Sequence, residues 1–118
     1  MTLQDKLLKE ADWCEWKDLH DSFIRVSLFW VKDGLDPFAV AQAVAENNTA
    51  IIYDAISAEK IVRPDGYKVE EWRKNELRFL TLIVSPFVII QPMDMASYAK
   101  ILEMQAEVLK RESGQKTD

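Results

Sequence analysis

The chain of 118 residues carries 15 basic and 20 acidic side chains, which gives a formal net charge of −5. That length suits a single domain, and a hydrophobic content of 48% with four tryptophans can fill its core. The acidic balance disfavours general binding to nucleic acid or to anionic membranes, because both require a positive field. Since Cys14 is the single cysteine and no apolar signal-peptide run opens the chain, we expect a protein of the reducing cytoplasm.

The first third of the chain predicts two helices followed by a strand. Thr2 can cap the first helix, whose leucines recur at helical spacing on one face. A second helix is predicted over residues 16–24, and residues 25–32 are rich in β-forming side chains and predict a strand. The spacing of Trp13 and Trp16 suits one face of a helical turn, so we interpret both as anchors of the first helix to the core.

The middle of the chain predicts two adjacent helices, a short strand and a charged helix. The first helix spans residues 36–46 and begins with the capping pair Asp36-Pro37, and the second spans residues 49–58. A strand at residues 60–63 ends at a Pro-Asp-Gly turn. The following helix, at residues 67–76, is the most charged segment and is expected to be mostly solvated.

The most apolar stretch of the chain runs from Leu77 to Pro92. It is shorter than the ~20 apolar residues of a membrane-spanning helix, and Pro86 would break a helix in its middle. Its Phe, Ile, Val and Thr residues favour buried β-structure, which we expect to be covered on both faces. A tight hairpin would place Pro86 at the third turn position, where it is tolerated mainly as a cis bond. We prefer the alternative of one long strand that bends at Ser85–Pro86.

A last helix is predicted over about residues 94–111, followed by a disordered tail at 113–118. Its apolar residues form a heptad-like seam, and a second apolar stripe widens this seam beyond what one helix usually carries. Two interpretations follow: the helix packs across the sheet, or it pairs with a copy of itself in a homo-oligomer. The candidate self-association residues are Met95, Tyr98, Leu102, Ala106 and Leu109.

The sequence assigns no catalytic, cofactor-binding or metal-binding residue, and we lean towards a protein that is not an enzyme. Three glycines cannot form a P-loop or a dinucleotide fingerprint, and one His with one Cys cannot make a four-ligand zinc site without carboxylates. We interpret His20 as a surface or half-buried helix residue and Cys14 as a small core hydrophobe. The candidate platform for a small molecule between sheet and helices comprises Trp16, Trp30 and Trp72.

These elements predict one α+β domain over residues 1–112. Its small, mostly antiparallel sheet has three strands, or four if Pro86 marks a turn, and helices cover it. The order of elements is that of a winged helix with an added C-terminal helix. The helix at 49–58 would then take the recognition position, but it offers no arginine for guanine and little positive charge for phosphate. We therefore favour a non-enzymatic protein-interaction or self-associating module. The alternatives are a nucleic-acid-binding regulator and a small-molecule-binding domain.

Three sequence blocks together carry a resemblance to a known family: LLKEA followed by WKDL at 16–19, DPFAVAQAVAENN at 36–48, and IVSPFVIIQ at 83–91. In this order and spacing the chain resembles domain of unknown function 2288, a family of small bacterial proteins, over roughly residues 3–92. The resemblance implies a bacterial, cytoplasmic, single-domain protein. It offers no catalytic or binding residues to carry over, and the predicted last helix lies beyond it.

Overall fold

The computed structural model describes residues 2–25 and 27–115. Five strands form one sheet in this part of the chain: β1 (Asp12–Glu15), β2 (Leu28–Val31), β3 (Ile61–Val62), β4 (Arg78–Val84) and β5 (Phe87–Pro92). Their spatial order is β1-β4-β5-β2-β3. Strands β2 and β5 pair in parallel, whereas the other neighbouring pairs are antiparallel, so the sheet is mixed.

Helices cover both faces of this sheet. The helices of the described residues are α1 (Leu3–Glu10), α2 (Trp16–Ile24), α3 (Pro37–Ala45), α4 (Thr49–Ser57), α5 (Gly66–Lys74) and α6 (Met95–Gln115). Residues of α1, α3 and α6 share a buried cluster with one face of the sheet, and residues of α2 and α5 share a second cluster with the other face. The predicted α+β class is therefore confirmed.

The alternation of side chains along β4 produces these two cores. Leu80 and Leu82 point towards α1 and α3, while Phe79 lies among the side chains of α2 and α5. Burial of each such side chain contributes ~1.5–3 kcal/mol, so β4 holds both helical layers to the sheet. The expected cover on both faces ends before Ile83, whose side chain is 62% exposed.

Pro86 lies in the turn of a β-hairpin, so the single bent strand that we preferred is wrong. Strands β4 and β5 pair antiparallel as far as Val84 and Phe87, which leaves only Ser85 and Pro86 for the turn. The Ser85–Pro86 peptide bond is cis, which is the geometry of a turn with proline at its third position. The apolar run thus supplies two adjacent strands.

The edge strand β1 is absent from the sequence prediction. It has only four residues, too few for a period to be read, and its pairing with β4 is what makes it a strand. Trp13 therefore lies on the sheet and does not share a helical turn with Trp16. Its ring stacks on Tyr98 of α6, whereas Trp16 belongs to the core on the opposite face. With β1 and the hairpin the sheet has five strands, not the predicted three or four.

Local capping residues set several helix boundaries. The N–H of Glu15 donates to the carboxylate of Asp18 at 3.2 Å where α2 begins, and the side chain of Asp36 accepts a hydrogen bond from the N–H of Phe38 at the start of α3. At the C-terminal end, α6 continues through Gln115. Residues 113–115 are thus helical and do not belong to a disordered tail, and residues 116–118 lie outside the described residues.

Candidate functional site

One face of α6 packs antiparallel along α1. Near its start, Tyr98 stacks on Trp13 with ring centroids 5.3 Å apart. The side-chain amide of Gln105 donates to the main-chain oxygens of Leu8 and Ala11, at 2.9 and 3.0 Å, where α1 ends. This face therefore belongs to the protomer. Its residues include Tyr98, Ile101, Gln105 and Val108.

A second stripe of α6 is exposed to solvent. Met95, Leu102 and Leu109 are 63%, 49% and 52% exposed, and Ala106 is exposed as well. We call Met95, Leu102, Ala106 and Leu109 the α6 stripe. Tyr98, the fifth residue that we assigned to self-association, is only 5% exposed and is buried against α1 and β1. That assignment is corrected, because the side chain is not available to a second copy.

Two charged residues flank the α6 stripe on the side away from α1. Glu103 and Lys110 lie about two turns apart on this flank. Within the residues that the structure describes, neither side chain makes an ion pair. The flank thus presents a negative charge near its middle and a positive charge nearer its C-terminal end.

The three tryptophans proposed as a ligand platform do come together, between the sheet and the α2–α5 layer. Trp72 is central, since its ring centroid lies 5.8 Å from that of Trp16 and 5.1 Å from that of Trp30. Trp72 and Trp16 are only 2% and 6% exposed. The cluster is therefore first of all a packed core, and only small parts of Trp16 and Trp72 are open to a ligand.

Trp16 and Trp72 line a cleft between α2 and α5, which we call the α2–α5 cleft. Its volume is about 690 Å³, within the usual range for small-molecule sites of roughly 300–1,000 Å³. One wall comes from α2 and the other from α5 and the loop that leads into β4. Its lining includes Trp16, Lys17, His20, Trp72, Arg73 and Leu77.

Glu15 organises the charges at one end of the α2–α5 cleft. Its carboxylate accepts a hydrogen bond from Arg78 at 3.1 Å, and the ammonium group of Lys17 lies 3.5 Å away. The guanidinium of Arg78 also lies 5.0 Å from the centroid of the Trp13 ring. These contacts hold Arg78 in place, although the pairs are exposed enough that each contributes only ~0–1 kcal/mol.

At the other end of the α2–α5 cleft, the charged side chains make weaker ion pairs or none among the described residues. Arg73 pairs with Glu70 at 3.4 Å, and both side chains are more than half exposed. Glu76 makes no ion pair among the described residues, and its backbone has a positive φ of 52°. The cleft is thus lined by three cations and two carboxylates in a chain of net charge −5: Lys17, Arg73 and Arg78, against Glu15 and Glu76.

The indole N–H of Trp16 has no hydrogen-bond acceptor among the described residues, although its Nε1 atom is buried. Aromatic rings of Phe23, Trp72 and Phe79 surround this indole, and ring faces accept an N–H only weakly. A buried donor without a partner costs about 1–3 kcal/mol, so Trp16 is an unusual residue in an otherwise well-satisfied core.

Other candidate chemistry finds little support in the geometry. Burial raises the pKa of the Cys14 thiol above its ordinary value of 9.0, which makes the thiol a poor nucleophile near neutral pH. Within residues 2–25 and 27–115, no group of three or more His, Cys, Asp and Glu side chains is placed to hold a metal ion. None of the helices in these residues is long and apolar enough to cross a membrane.

Sequence reasoning found the aromatic part of the cleft and missed its charged lining. The sequence held one signal for the polar lining: Trp16 and His20 lie four residues apart on α2, and residues at this spacing share a helix face. Arg73 and Glu76 come from a distant part of the chain, and only the packing of α5 beside α2 brings them to the same cleft.

The described residues define a single-sheet α+β protein with an open cleft between two of its helices and an exposed apolar stripe on its last helix. The family model described as "Protein of unknown function (DUF2288)" matches residues 2–92, and the chain belongs to that family, as the sequence blocks predicted. The match ends before α6 begins.

A solved structure also has a similar fold. The NMR solution structure of PA1075 from Pseudomonas aeruginosa matches with a TM-score of 0.69 and 23% sequence identity, over 81% of this chain and 91% of that chain. At this identity the similarity supports the fold alone. A search of curated proteins gives no significant match.

Proposed function

We propose that this protein is a non-enzymatic interaction module that pairs with a second copy of itself through the α6 stripe. The observation that carries the proposal is the exposure of Leu102 and Leu109 on a helix whose neighbouring face is already buried against α1. Packing within the protomer leaves these residues unused. Apolar residues that recur at heptad spacing on a free helix face are typical of helix pairing.

A second copy of the chain fits this stripe better than an unrelated partner does. From Leu102 to Leu109 the stripe extends over ~10 Å of helix and supplies three apolar positions to the seam: Leu102, Ala106 and Leu109. In an antiparallel pair with a twofold axis near Ala106, Leu102 of one helix meets Leu109 of the other. The same axis brings Glu103 towards Lys110 of the second copy, so the charges on the flank are self-complementary.

Pairing through α6 would rest on a segment that the family model does not cover. The family match covers residues 2–92, and α6 follows it. We expect the module to work in the cytoplasm, where a single half-buried cysteine stays reduced.

Nucleic acid is the less favoured partner. The predicted recognition helix, α4, contains neither Lys nor Arg, and its exposed side chains include Tyr53 and Asp54. A helix of this composition offers no positive charge to the phosphate backbone.

Sedimentation velocity across a range of protein concentrations tests the proposal. The wild-type chain should show a dimer that dissociates on dilution, and Leu102→Glu should weaken association by at least about tenfold, because it places a charge in the apolar layer opposite Leu109. Met104→Glu is the matched control, since Met104 is as exposed as Leu102, at 49% each, and lies outside the stripe.

Both variants should keep the wild-type melting temperature, because neither side chain is part of the core. A wild-type chain that stays monomeric at millimolar concentration would rule out self-association. A dimer that Leu102→Glu and Met104→Glu disturb equally would rule out the stripe as its interface.

A further inference from the structure

We propose that the α2–α5 cleft binds a small organic anion, a carboxylate or phosphate group carried on an apolar body. The cleft lies on the face of the sheet opposite to α6, so this inference does not depend on the proposed self-association. It rests on the charge of the lining, on an unpartnered donor buried in a lining residue and on an exposed apolar side chain of the same lining.

The lining carries an excess of one positive charge, which favours an anion. Three cations and two carboxylates border the cleft, although the chain as a whole is acidic. Arg73 is the cation with most freedom to bind a ligand, because its partner Glu70 is 74% exposed and their contact is long, at 3.4 Å. Guanidinium groups bind carboxylate and phosphate through paired hydrogen bonds, which makes Arg73 the expected anchor of the anionic group.

Polar groups on α2 extend the same site. Trp16 and His20 are four residues apart and therefore share a face of α2, and both line the cleft. The indole N–H of Trp16 needs an acceptor that the described residues do not provide. An oxyanion in the cleft would supply this acceptor. Because the Nε1 atom is enclosed, the ligand would reach it with a small shift of the indole ring.

The apolar part of the ligand has a place against Leu77. This side chain is 37% exposed in the loop between α5 and β4, and it lines the cleft beside Trp72. An inorganic anion alone would leave this surface in water. An aryl or alkyl group attached to the anion would cover it, at a gain of about 25 cal/mol for each Å² of apolar surface removed from water.

NMR titration of the isotope-labelled full chain tests the proposal directly. The four tryptophans give four indole N–H signals, and Trp16→Phe identifies the signal of Trp16. The probes are phenyl phosphate, benzoate, inorganic phosphate, benzyl alcohol and benzylammonium, each added to millimolar concentration. Phenyl phosphate or benzoate should shift the Trp16 signal in a saturable manner, and the tighter of these two identifies the preferred anionic group. Inorganic phosphate and benzyl alcohol should each bind more weakly.

Two variants of α5 make the test specific. Arg73→Gln should weaken binding of the better probe by about fivefold or more, because it removes a charged donor. Lys74→Gln makes the same change of charge at the next residue, which does not line the cleft, and should leave the affinity within about twofold. Both side chains are exposed, so the spectra should show an unchanged fold.

Three outcomes would overturn the proposal. The first is that no probe shifts the Trp16 signal. The second is that benzylammonium binds as tightly as the anions, which would remove the selection for negative charge. The third is that Arg73→Gln binds as the wild-type chain does. Equal affinity for inorganic phosphate and phenyl phosphate would overturn the apolar half of the proposal.

Discussion

The side-chain amide of Gln105 lies 2.9 Å from the main-chain oxygen of Leu8 and donates a hydrogen bond to it. The same amide donates to the oxygen of Ala11, so one side chain of the last helix satisfies two carbonyl groups at the end of the first helix. The last carbonyl groups of a helix lack the regular N–H partners of its interior, and here the oxygen of Leu8 otherwise accepts from the N–H of Ala11, at 3.3 Å. α6 therefore completes the capping of α1, although it lies beyond the region of the family match.

We predict that Gln105→Met destabilises the protein by about 1–2 kcal/mol. Methionine keeps the length of the side chain, but it cannot donate to the two carbonyl oxygens, which stay partly buried under α6. Urea denaturation followed by circular dichroism measures the change. The matched control is Gln4→Met, which removes an exposed hydrogen bond between Gln4 and Gln42 and should cost little. Equal losses in the two variants would contradict a capping role for Gln105.

We predict that Glu59→Gly stabilises the protein by about 0.5–1 kcal/mol. Glu59 follows α4 with a φ of 58°, a left-handed conformation that costs a side-chain-bearing residue ~1–2 kcal/mol. Glycine removes this cost, although its greater freedom in the unfolded chain offsets part of the gain. Thermal unfolding should show a higher midpoint. Gly34→Ala is the reverse experiment, because Gly34 has a φ of 95° with open space around it and should lose stability.

We predict that Asp94→Asn reduces the amount of stability that the protein loses in acid. Asp94 accepts a hydrogen bond from the main-chain N–H of Ser97 at 2.7 Å, and this bond lowers the pKa of the carboxyl group below its ordinary value of 3.8. A lowered folded-state pKa contributes stability that is present above the ordinary value and is lost as pH falls through the folded value. Asparagine can still cap the helix but does not titrate.

The measurement for Asp94→Asn is the urea midpoint from about pH 7 to about pH 2. The variant should resemble the wild-type chain at neutral pH and should lose less stability than it does in acid. Asp54→Asn, on the exposed surface of α4, serves as the control. Identical pH profiles for Asp94→Asn and the wild-type chain would show that this cap does not contribute to acid unfolding.

Local sequence signals predicted most of the helices. Asp36-Pro37 and Asn48-Thr49 mark the starts of α3 and α4, and the predicted span 16–24 coincides with α2. These boundaries follow from capping groups and from side-chain spacing within a few residues, which act before any long-range contact forms. The sequence also offered Trp16, Trp30 and Trp72 as a candidate platform, and these three rings lie together in the structure.

Contacts between distant parts of the chain decided the rest of the fold and the lining of the cleft. Pro86 is compatible with a bent strand and with a hairpin, and the antiparallel pairing of β4 with β5 selects the hairpin. The strand β1 exists because β4 offers it an edge, not because four residues carry a recognisable period. The charged lining of the α2–α5 cleft likewise depends on how two helices pack on one face of the sheet.

The last helix shows, within one element, what the local sequence determines and what the tertiary structure determines. Its sequence alone determined that α6 is a helix with more apolar surface than one contact needs, because periodicity is a property of the local chain. Only the tertiary structure decided which apolar residues are used: Tyr98 and Val108 are buried, whereas Leu102 and Leu109 stay exposed. The physical reason is that a helix can bury just one face against its neighbours, and here that face carries Tyr98, which stacks on Trp13, and Gln105, which donates to the carbonyl groups at the end of α1.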